Sequence, residues 1–244
     1  MLSKNEIKKL RSLHQKKYRD LECCFLVEGE RLIIDILERH PSHVMRLFLV
    51  KGFDATRINF NGVTPEFIDE QTLAQLTTSK APQGIVALLS YPENQHVDSD
   101  FTLVLDDVQD PGNLGTIIRT MAWFGMQQLV CSPHTVDFCN PKVVQASMGA
   151  VFDVNIIYTN LAAFLEKQKK PIYGALLECK SMHKVALRKP AILIMGNEGN
   201  GISAEIQQFI TEPLFIPKYG VGESLNVATA TAIFLNAFAQ VDSN

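Results

Sequence analysis

Side chains able to do chemistry together stand in three short clusters, each directly after an apolar run. The first runs Asp106-Asp107-Val108-Gln109-Asp110-Pro111-Gly112-Asn113-Leu114-Gly115-Thr116-Ile117-Ile118-Arg119 and offers carboxylates, two carboxamides and a guanidinium. Pro111 and Gly112 favour a turn, and Asn113 is able to cap a following helix. Arg119 lies six residues beyond Asn113, under two helical turns, so one side of the helix can share the loop end. Taken alone, the segment reads as a capping Asn and a surface Arg. The second cluster, Gly196-Asn197-Glu198-Gly199-Asn200-Gly201, has three glycines in six positions. Such a loop lets the backbone come close to a ligand and turn its amides toward it. It lacks the Lys-Ser/Thr of a P-loop and the spacing of a dinucleotide-binding GxGxxG. A nucleotide or nucleoside suits it, and a tight turn without a ligand accounts for it equally well. In the third, Pro217-Lys218-Tyr219-Gly220-Val221-Gly222-Glu223-Ser224-Leu225-Asn226, either Ser224 or Asn226 is placed to cap the last helix, where partial positive charge collects.

The elements that position these clusters follow from the spacing of apolar residues. From Phe101 onward, strands are expected at Thr102 to Leu105, Leu129 to Cys131, Val154 to Ile157, Ile172 to Ala175, Ile192 to Met195 and Leu214 to Ile216. Between them lie helices beginning at Asn113, near Lys142, at Leu161 to Gln168 and after Ser203, with a closing helix from Asn226 to Gln240. Strands separated by helices imply parallel pairing, since parallel neighbours need a crossover. In parallel sheets ligands sit outside the carboxyl ends of the strands, which is where all three clusters fall. The closing helix is rich in Ala and Thr, as suits a close helix pair, a dimer seam or ordinary packing.

The first half alternates as well: an amphipathic helix over 3 to 18, a strand at Cys24 to Val27, a helix from Gly29 to Leu37, strands at Val44 to Val50 and Ile85 to Leu89, and a short helix at Gln71 to Leu76. The aperiodic stretch Tyr91 to Asp100 reads as the boundary between two α/β domains, 1 to 95 and 101 to 244.

Bulk properties narrow the function classes. Apolar runs such as Phe101 to Leu105 are far shorter than the ~20 residues of a membrane span, and the first residues do not resemble a secretory signal. A cytoplasmic protein without membrane association is expected. Five scattered cysteines, Cys23, Cys24, Cys131, Cys139 and Cys179, show no metal-ligand spacing and read as reduced thiols, mostly in the core. His134 and His183 read as surface or loop residues, and no metal site is expected. A net charge of -3 argues against nonspecific coating of nucleic acid. Residues 1 to 19 nevertheless hold seven Lys and Arg against Glu6 alone, a balance of +6. A phosphate contact and a solvated helix face account for that stretch equally well.

In order and spacing the clusters resemble the SpoU branch of the SPOUT methyltransferases, also called the TrmH family. The resemblance rests on Asn113-x-Gly115-x-x-x-Arg119, on Met195-Gly196-Asn197-Glu198-Gly199-x-Gly201, and on Ile216-Pro217 with Glu223-Ser224-Leu225-Asn226-Val227. Lys142-Val143-Val144-Gln145-Ala146-Ser147-Met148-Gly149-Ala150 is similar to the family's helix between the first two motifs. The first half resembles the family's L30e-like substrate-binding domain through Val27-Glu28-Gly29 and Ala81-Pro82-Gln83-Gly84-Ile85. One departure stands out: Ala228-Thr229 follows Asn226-Val227 where the family commonly has Ser-Val.

The resemblance implies a C-terminal α/β domain with a parallel sheet and a deep trefoil knot, preceded by a small L30e-like α/β domain. It implies S-adenosylmethionine as methyl donor, held by Leu176, Gly196, Asn197, Gly201, Ile216, Ser224 and Leu225. It implies a homodimer through the C-terminal domain, with the reacting site near the subunit interface. Methylation of a ribose 2′-hydroxyl in structured RNA would then fall to Arg119, Asn113, Glu198, Ser224 and Asn226. Arg119 would stabilise the developing alkoxide or fix a phosphate, since a guanidinium is a poor base. Glu198 would orient its neighbours. The two-domain layout favours rRNA over tRNA as the substrate; a tRNA 2′-O-methyltransferase, methylation of a base by the same fold, and a catalytically silent RNA-binding module are the alternatives.

Overall fold

The computed structural model describes residues 2–79, 81–177 and 179–241, so residues 242–244 of the expected C-terminal domain lie outside the described residues. The chain divides into two compact units, one formed by residues 2–92 with 139–152 and the other by residues 93–138 with 153–241.

The first unit begins with α1 (Lys4–Ser12) and α2 (Lys16–Glu22). A single helix over 3 to 18 was expected; the chain instead breaks at 13 to 15. The cause is local: Leu13 packs into the core, and the buried Arg19 guanidinium donates to the carbonyls of Leu13 and His14, satisfying acceptors that a continuous helix would have used. Then follow β1 (Cys24–Glu28), α3 (Glu30–Arg39), β2 (Val44–Val50), β3 (Pro65–Ile68), α4 (Glu70–Leu76) and β4 (Ile85–Ser90). They build a mixed sheet of order β1-β4-β2-β3, antiparallel except for β2 with β3. One face buries Leu26, Phe48, Val86 and Leu88 under Leu10, Leu13, Leu73 and Leu76 of the flanking helices. The strand β3 gave no sequence signal, because it is a four-residue edge strand that opens on proline. The two stretches that resemble the substrate-binding domain adjoin here: the Gln83 side-chain oxygen accepts from the backbone N–H of Glu30, the residue after Gly29, at 2.8 Å.

The second unit opens with β5 (Phe101–Leu105), α5 (Pro111–Trp123) and β6 (Gln128–Cys131). The chain then returns to the first unit through residues 139–152, which carry α6 (Pro141–Ser147). This helix ends on Met148 and Gly149, both at positive φ, and a Cβ on Gly149 would sit 3.1 Å from Ile36 of α3. Afterwards the second unit is completed by β7 (Asn155–Tyr158), α7 (Leu161–Leu165), β8 (Ile172–Ala175), β9 (Ala191–Met195), α8 (Ala204–Gln207), β10 (Glu212–Leu214) and α9 (Val227–Ala239).

Its six strands are all parallel, in the order β10-β8-β9-β5-β6-β7. Every residue of β5 and β9 is buried, as a parallel sheet covered on both faces requires. On one face Val104, Val130, Ile192 and Ile194 pack under Leu161, Leu165, Ile202 and Ile206. Phe238 of α9 meets the rings of Phe101 and Tyr173 at centroid distances of 4.9 and 5.1 Å. Two elements differ from expectation. The helix expected over Leu161 to Gln168 ends at Leu165. The strand expected at Leu214 to Ile216 lies at Glu212–Leu214, paired with Tyr173–Ala175 of β8, and beyond it only Phe215 continues, bridging to Ser181. No helix among the described residues is long and apolar enough to cross a membrane. Cys24, Cys131 and Cys139 are buried.

Candidate functional site

The three clusters converge at the carboxyl ends of the parallel strands. The first forms the turn from β5 into α5. Asp110, rather than Asn113, is the N-cap: its side chain accepts from the Asn113 backbone N–H at 2.8 Å. Pro111 occupies the first helical position, where its missing N–H costs nothing. The Asn113 side chain is thereby released from capping and points to partners elsewhere.

The second cluster is a tight loop closed on itself. Asn197 and Gly201 exchange backbone hydrogen bonds at 2.9 and 3.0 Å. The Asn197 side-chain oxygen accepts from the N–H groups of Gly199 and Asn200, and its amide donates to the Asp107 carbonyl at 2.8 Å. Asn197 therefore ties the second loop to the first, and its polar side-chain groups are engaged within the protein. Gly196 is a glycine for a packing reason: a Cβ there would lie 2.1 Å from the Gly201 carbonyl carbon.

The closed loop carries Glu198 to the start of α5. One carboxylate oxygen accepts from the Asn113 side-chain amide at 2.9 Å and from the Asp110 N–H at 3.1 Å; the other accepts from the Gln109 N–H at 3.3 Å. Burial pushes the Glu198 pKa up, but the Asn113 amide and the backbone N–H groups of Glu198 itself, Asp110 and Gln109 outweigh it and hold the carboxyl below its ordinary value. The third cluster completes the chain of contacts. Asn226 caps α9, its side-chain oxygen accepting from the N–H groups of Ala228 and Thr229 at 2.9 and 3.3 Å. Its amide must then donate, and it does so to the Asn113 side-chain oxygen at 2.9 Å. Asn226, Asn113 and Glu198 thus form a directed network in which each group's donor and acceptor roles fix the next. Ala228, where the family commonly has Ser, is buried.

Arg119 does not join this network. Six residues along a helix turn the side chain by about 600°, roughly 240° from the starting direction. Arg119 lies exposed on α5, with no hydrogen-bond or ion-pair partner among the described residues, and Trp123, one turn on, is 84% exposed. Ser224 and Leu225 are exposed in the loop before α9. Leu176, Gly196 and Ile216 follow β8, β9 and β10, three neighbouring parallel strands, so their backbones line one end of the sheet.

Sequence reasoning missed the groups that hold the first loop. Asp106 is buried and accepts from the Ser203 N–H at 2.7 Å. Asp107, at φ +60°, takes a hydrogen bond from Ser132 and donates its own N–H to the same hydroxyl at 2.9 Å. The Asp-Pro pair at 110 and 111 was the available signal for the true cap.

Two family models match the chain: the SpoU rRNA methylase family over residues 100–236, and the MRM3-like substrate binding domain over residues 4–87. The chain is 34% identical over 241 residues to the 23S rRNA (guanosine(2553)-2'-O)-methyltransferase RlmP of Bacillus subtilis, a match that covers 96% of each protein. This chain belongs to the SpoU methylase family. Among solved structures, a TrmH-family protein from Porphyromonas gingivalis matches at 39% identity and a TM-score of 0.81 over 97% of each chain. An AdoMet-bound rRNA methyltransferase from Sinorhizobium meliloti matches at 30% identity and a TM-score of 0.79, over 96% of this chain and 94% of that one. As a family member the chain is a methyltransferase, with the α/β architecture and parallel sheet expected from its motifs.

Proposed function

We propose that this chain transfers a methyl group from S-adenosylmethionine to the 2′-hydroxyl of a ribose in ribosomal RNA. The observation that carries the reading is the Asn226–Asn113–Glu198 network, which brings residues of all three loops together at the carboxyl ends of the strands. Relatives alike over nearly the whole chain support the substrate, since one is named for 2′-O-methylation of 23S rRNA.

The residues present fit the methyl donor. Leu176, Gly196 and Ile216 end three adjacent strands, where a parallel sheet accepts ligands, and Leu225 offers an exposed apolar side chain beside Ser224. When bound, the donor supplies a sulfonium methyl open to attack by an oxygen. The chain's own part is positioning and charge. Glu198, held below its ordinary pKa by its donors, is a weak base and serves as the anchor that aims the Asn113 amide. The Arg119 guanidinium, exposed and without a partner among the described residues, suits a developing alkoxide or the neighbouring phosphate. Asn197 and Gly201 contribute by closing the loop, and Ser224 by an exposed hydroxyl before α9.

The exposed Trp123 one turn from Arg119 supports a homodimer in which a second copy covers this face of α5 and the site lies near the interface. Family membership supports the trefoil knot, a division into an RNA-binding stretch of 1 to 95 and a methyltransferase stretch of 101 to 244, and residence in the cytoplasm where ribosomes are assembled.

The test is to incubate the purified protein with tritiated S-adenosylmethionine and an unmodified 23S rRNA transcript or, in parallel, unmodified tRNA, then digest each RNA to nucleosides. Label on a 2′-O-methylnucleoside is expected. Label on a base would redirect the reading to base methylation, and transfer only to tRNA would replace the substrate.

A further inference from the structure

A groove of about 710 Å³ runs between α1 and α4 in the first unit. One wall carries Lys4, Lys8 and Arg11; the other carries Gln71, Thr72 and Gln75. The three cations are spaced i, i+4, i+7, which stacks them on a single face of α1.

The basic residues of this region separate into two sets. Lys9 pairs with Glu22 at 2.7 Å and Lys16 with Asp20 at 2.6 Å. Lys17 lies over the Tyr18 ring, and the buried Arg19 donates to backbone carbonyls. Lys4, Lys8 and Arg11 have no acidic partner among the described residues, and all three line the groove. Three cations without an acidic partner among the described residues are thus gathered in one concave place. A single carboxylate stands at its rim, Asp69, occupied in capping α4 through the Thr72 N–H at 2.6 Å.

We propose that this groove holds the sugar-phosphate backbone of the RNA substrate, as a second contact made by side chains outside the three loops. The inference rests on the RNA reading above. Lys4 to Arg11 covers about 10 Å of helix axis, over which one strand of a duplex sets about three phosphates at ~3.4 Å each. The facing carboxamides and hydroxyl both donate and accept, as does a ribose 2′-hydroxyl. Phosphate contacts of this kind set affinity and register and carry no sequence information. Choice of the methylated nucleotide stays with the reacting loops.

The test compares the full-length protein with the triple variant Lys4→Gln/Lys8→Gln/Arg11→Gln in binding a fluorescein-labelled, unmodified 23S rRNA transcript between 50 and 200 mM salt, a range of about fourfold over which counterion release is readily read. The slope of log K against log salt is expected to fall by about two to three in the variant, at ~0.7–0.9 per lost phosphate contact. KM for the RNA rises, while kcat at saturating RNA and binding of S-adenosylmethionine stay as they were. The variant Lys9→Gln/Lys16→Gln, which removes two paired cations, keeps the wild-type slope. An unchanged slope and KM in the triple variant, or an equal loss in the control, overturns the groove while a methylating wild type leaves the RNA reading standing. A wild type that neither binds nor methylates the transcript overturns both.

Discussion

In the second unit Glu198 is met by two backbone N–H groups and the Asn113 amide, and Asn113 in turn by Asn226, so that each polar group is engaged by another within the protein. In the first unit Lys4, Lys8 and Arg11 face a groove without an acidic partner among the described residues, and Arg119 on α5 is equally unpaired among them. Groups bound to one another hold geometry; groups left unpaired are available to a ligand. The contrast separates residues that position from residues that bind, and it makes the two sets respond differently to substitution.

The largest effect is expected at Arg119. Arg119→Ala should lower kcat/KM by about 10²- to 10³-fold, the loss typical of one donor to a developing oxyanion. Its stability should stay within about 0.5 kcal/mol of wild type, because the residue is exposed and unpaired. Methyl incorporation and urea denaturation read the two quantities, and a comparable loss in stability would erase the distinction. Arg119→Lys separates bidentate positioning from charge alone, and near-normal turnover in it would rule out the fork geometry. Next comes Gly196→Ala, which should cost about 1–3 kcal/mol of stability by forcing the second loop open. Here activity should fall together with the unfolding midpoint, the opposite of Arg119.

A smaller effect tests the network itself. Asn113→Ala and Glu198→Ala, combined in a double-mutant cycle, should show a coupling of about 0.5–3 kcal/mol, since the two groups share a 2.9 Å hydrogen bond. Additive losses would mean that the bond contributes nothing. The smallest effect is a pH dependence. The Glu198 pKa is lowered on folding, so its stabilisation is complete above its ordinary value of 4.5 and is lost as pH falls through the lower folded value. The stability difference between wild type and Glu198→Gln should therefore shrink below about pH 4.5. A difference that stays constant from pH 6 to pH 3, a window of about three units around that value, would show that the charge is not what the donors hold.

Much of this arrangement was legible because the parallel strands are buried on both faces and read as apolar runs: Ile192 to Met195 and Thr102 to Leu105 fall within a residue of their observed bounds. The three clusters were visible for the same reason, as polar interruptions after such runs. What the sequence did not reveal was which group of each cluster caps and which reaches out. By residue type Asn113 suits the cap, whereas Asp110, three residues earlier, fills that role. The choice depends on where the chain turns, and Asp, Asn and Ser all satisfy the same N–H groups. Glycine at 196 suggested room for a ligand, whereas its cause is the approach of Gly201 and Ile202, a contact made by folding and invisible to spacing. The break at Leu13 escaped notice because Arg19, six residues away, competes for its carbonyl. The strand Pro65–Ile68 is short, edge-lying and partly polar.

The return of residues 139–152 to the first unit has a consequence for how the protein is made. Phe152 stacks with Phe25 at 6.2 Å, and Gly149 seats against Ile36 and Leu32, so the first unit lacks part of its packing until the ribosome has released residues well past its own sheet. By then the residues of β5, α5 and β6 of the second unit have already been synthesised. The nascent chain must therefore mature both units in overlapping stages, and a fragment ending near residue 92 would carry an apolar face that only later synthesis can cover.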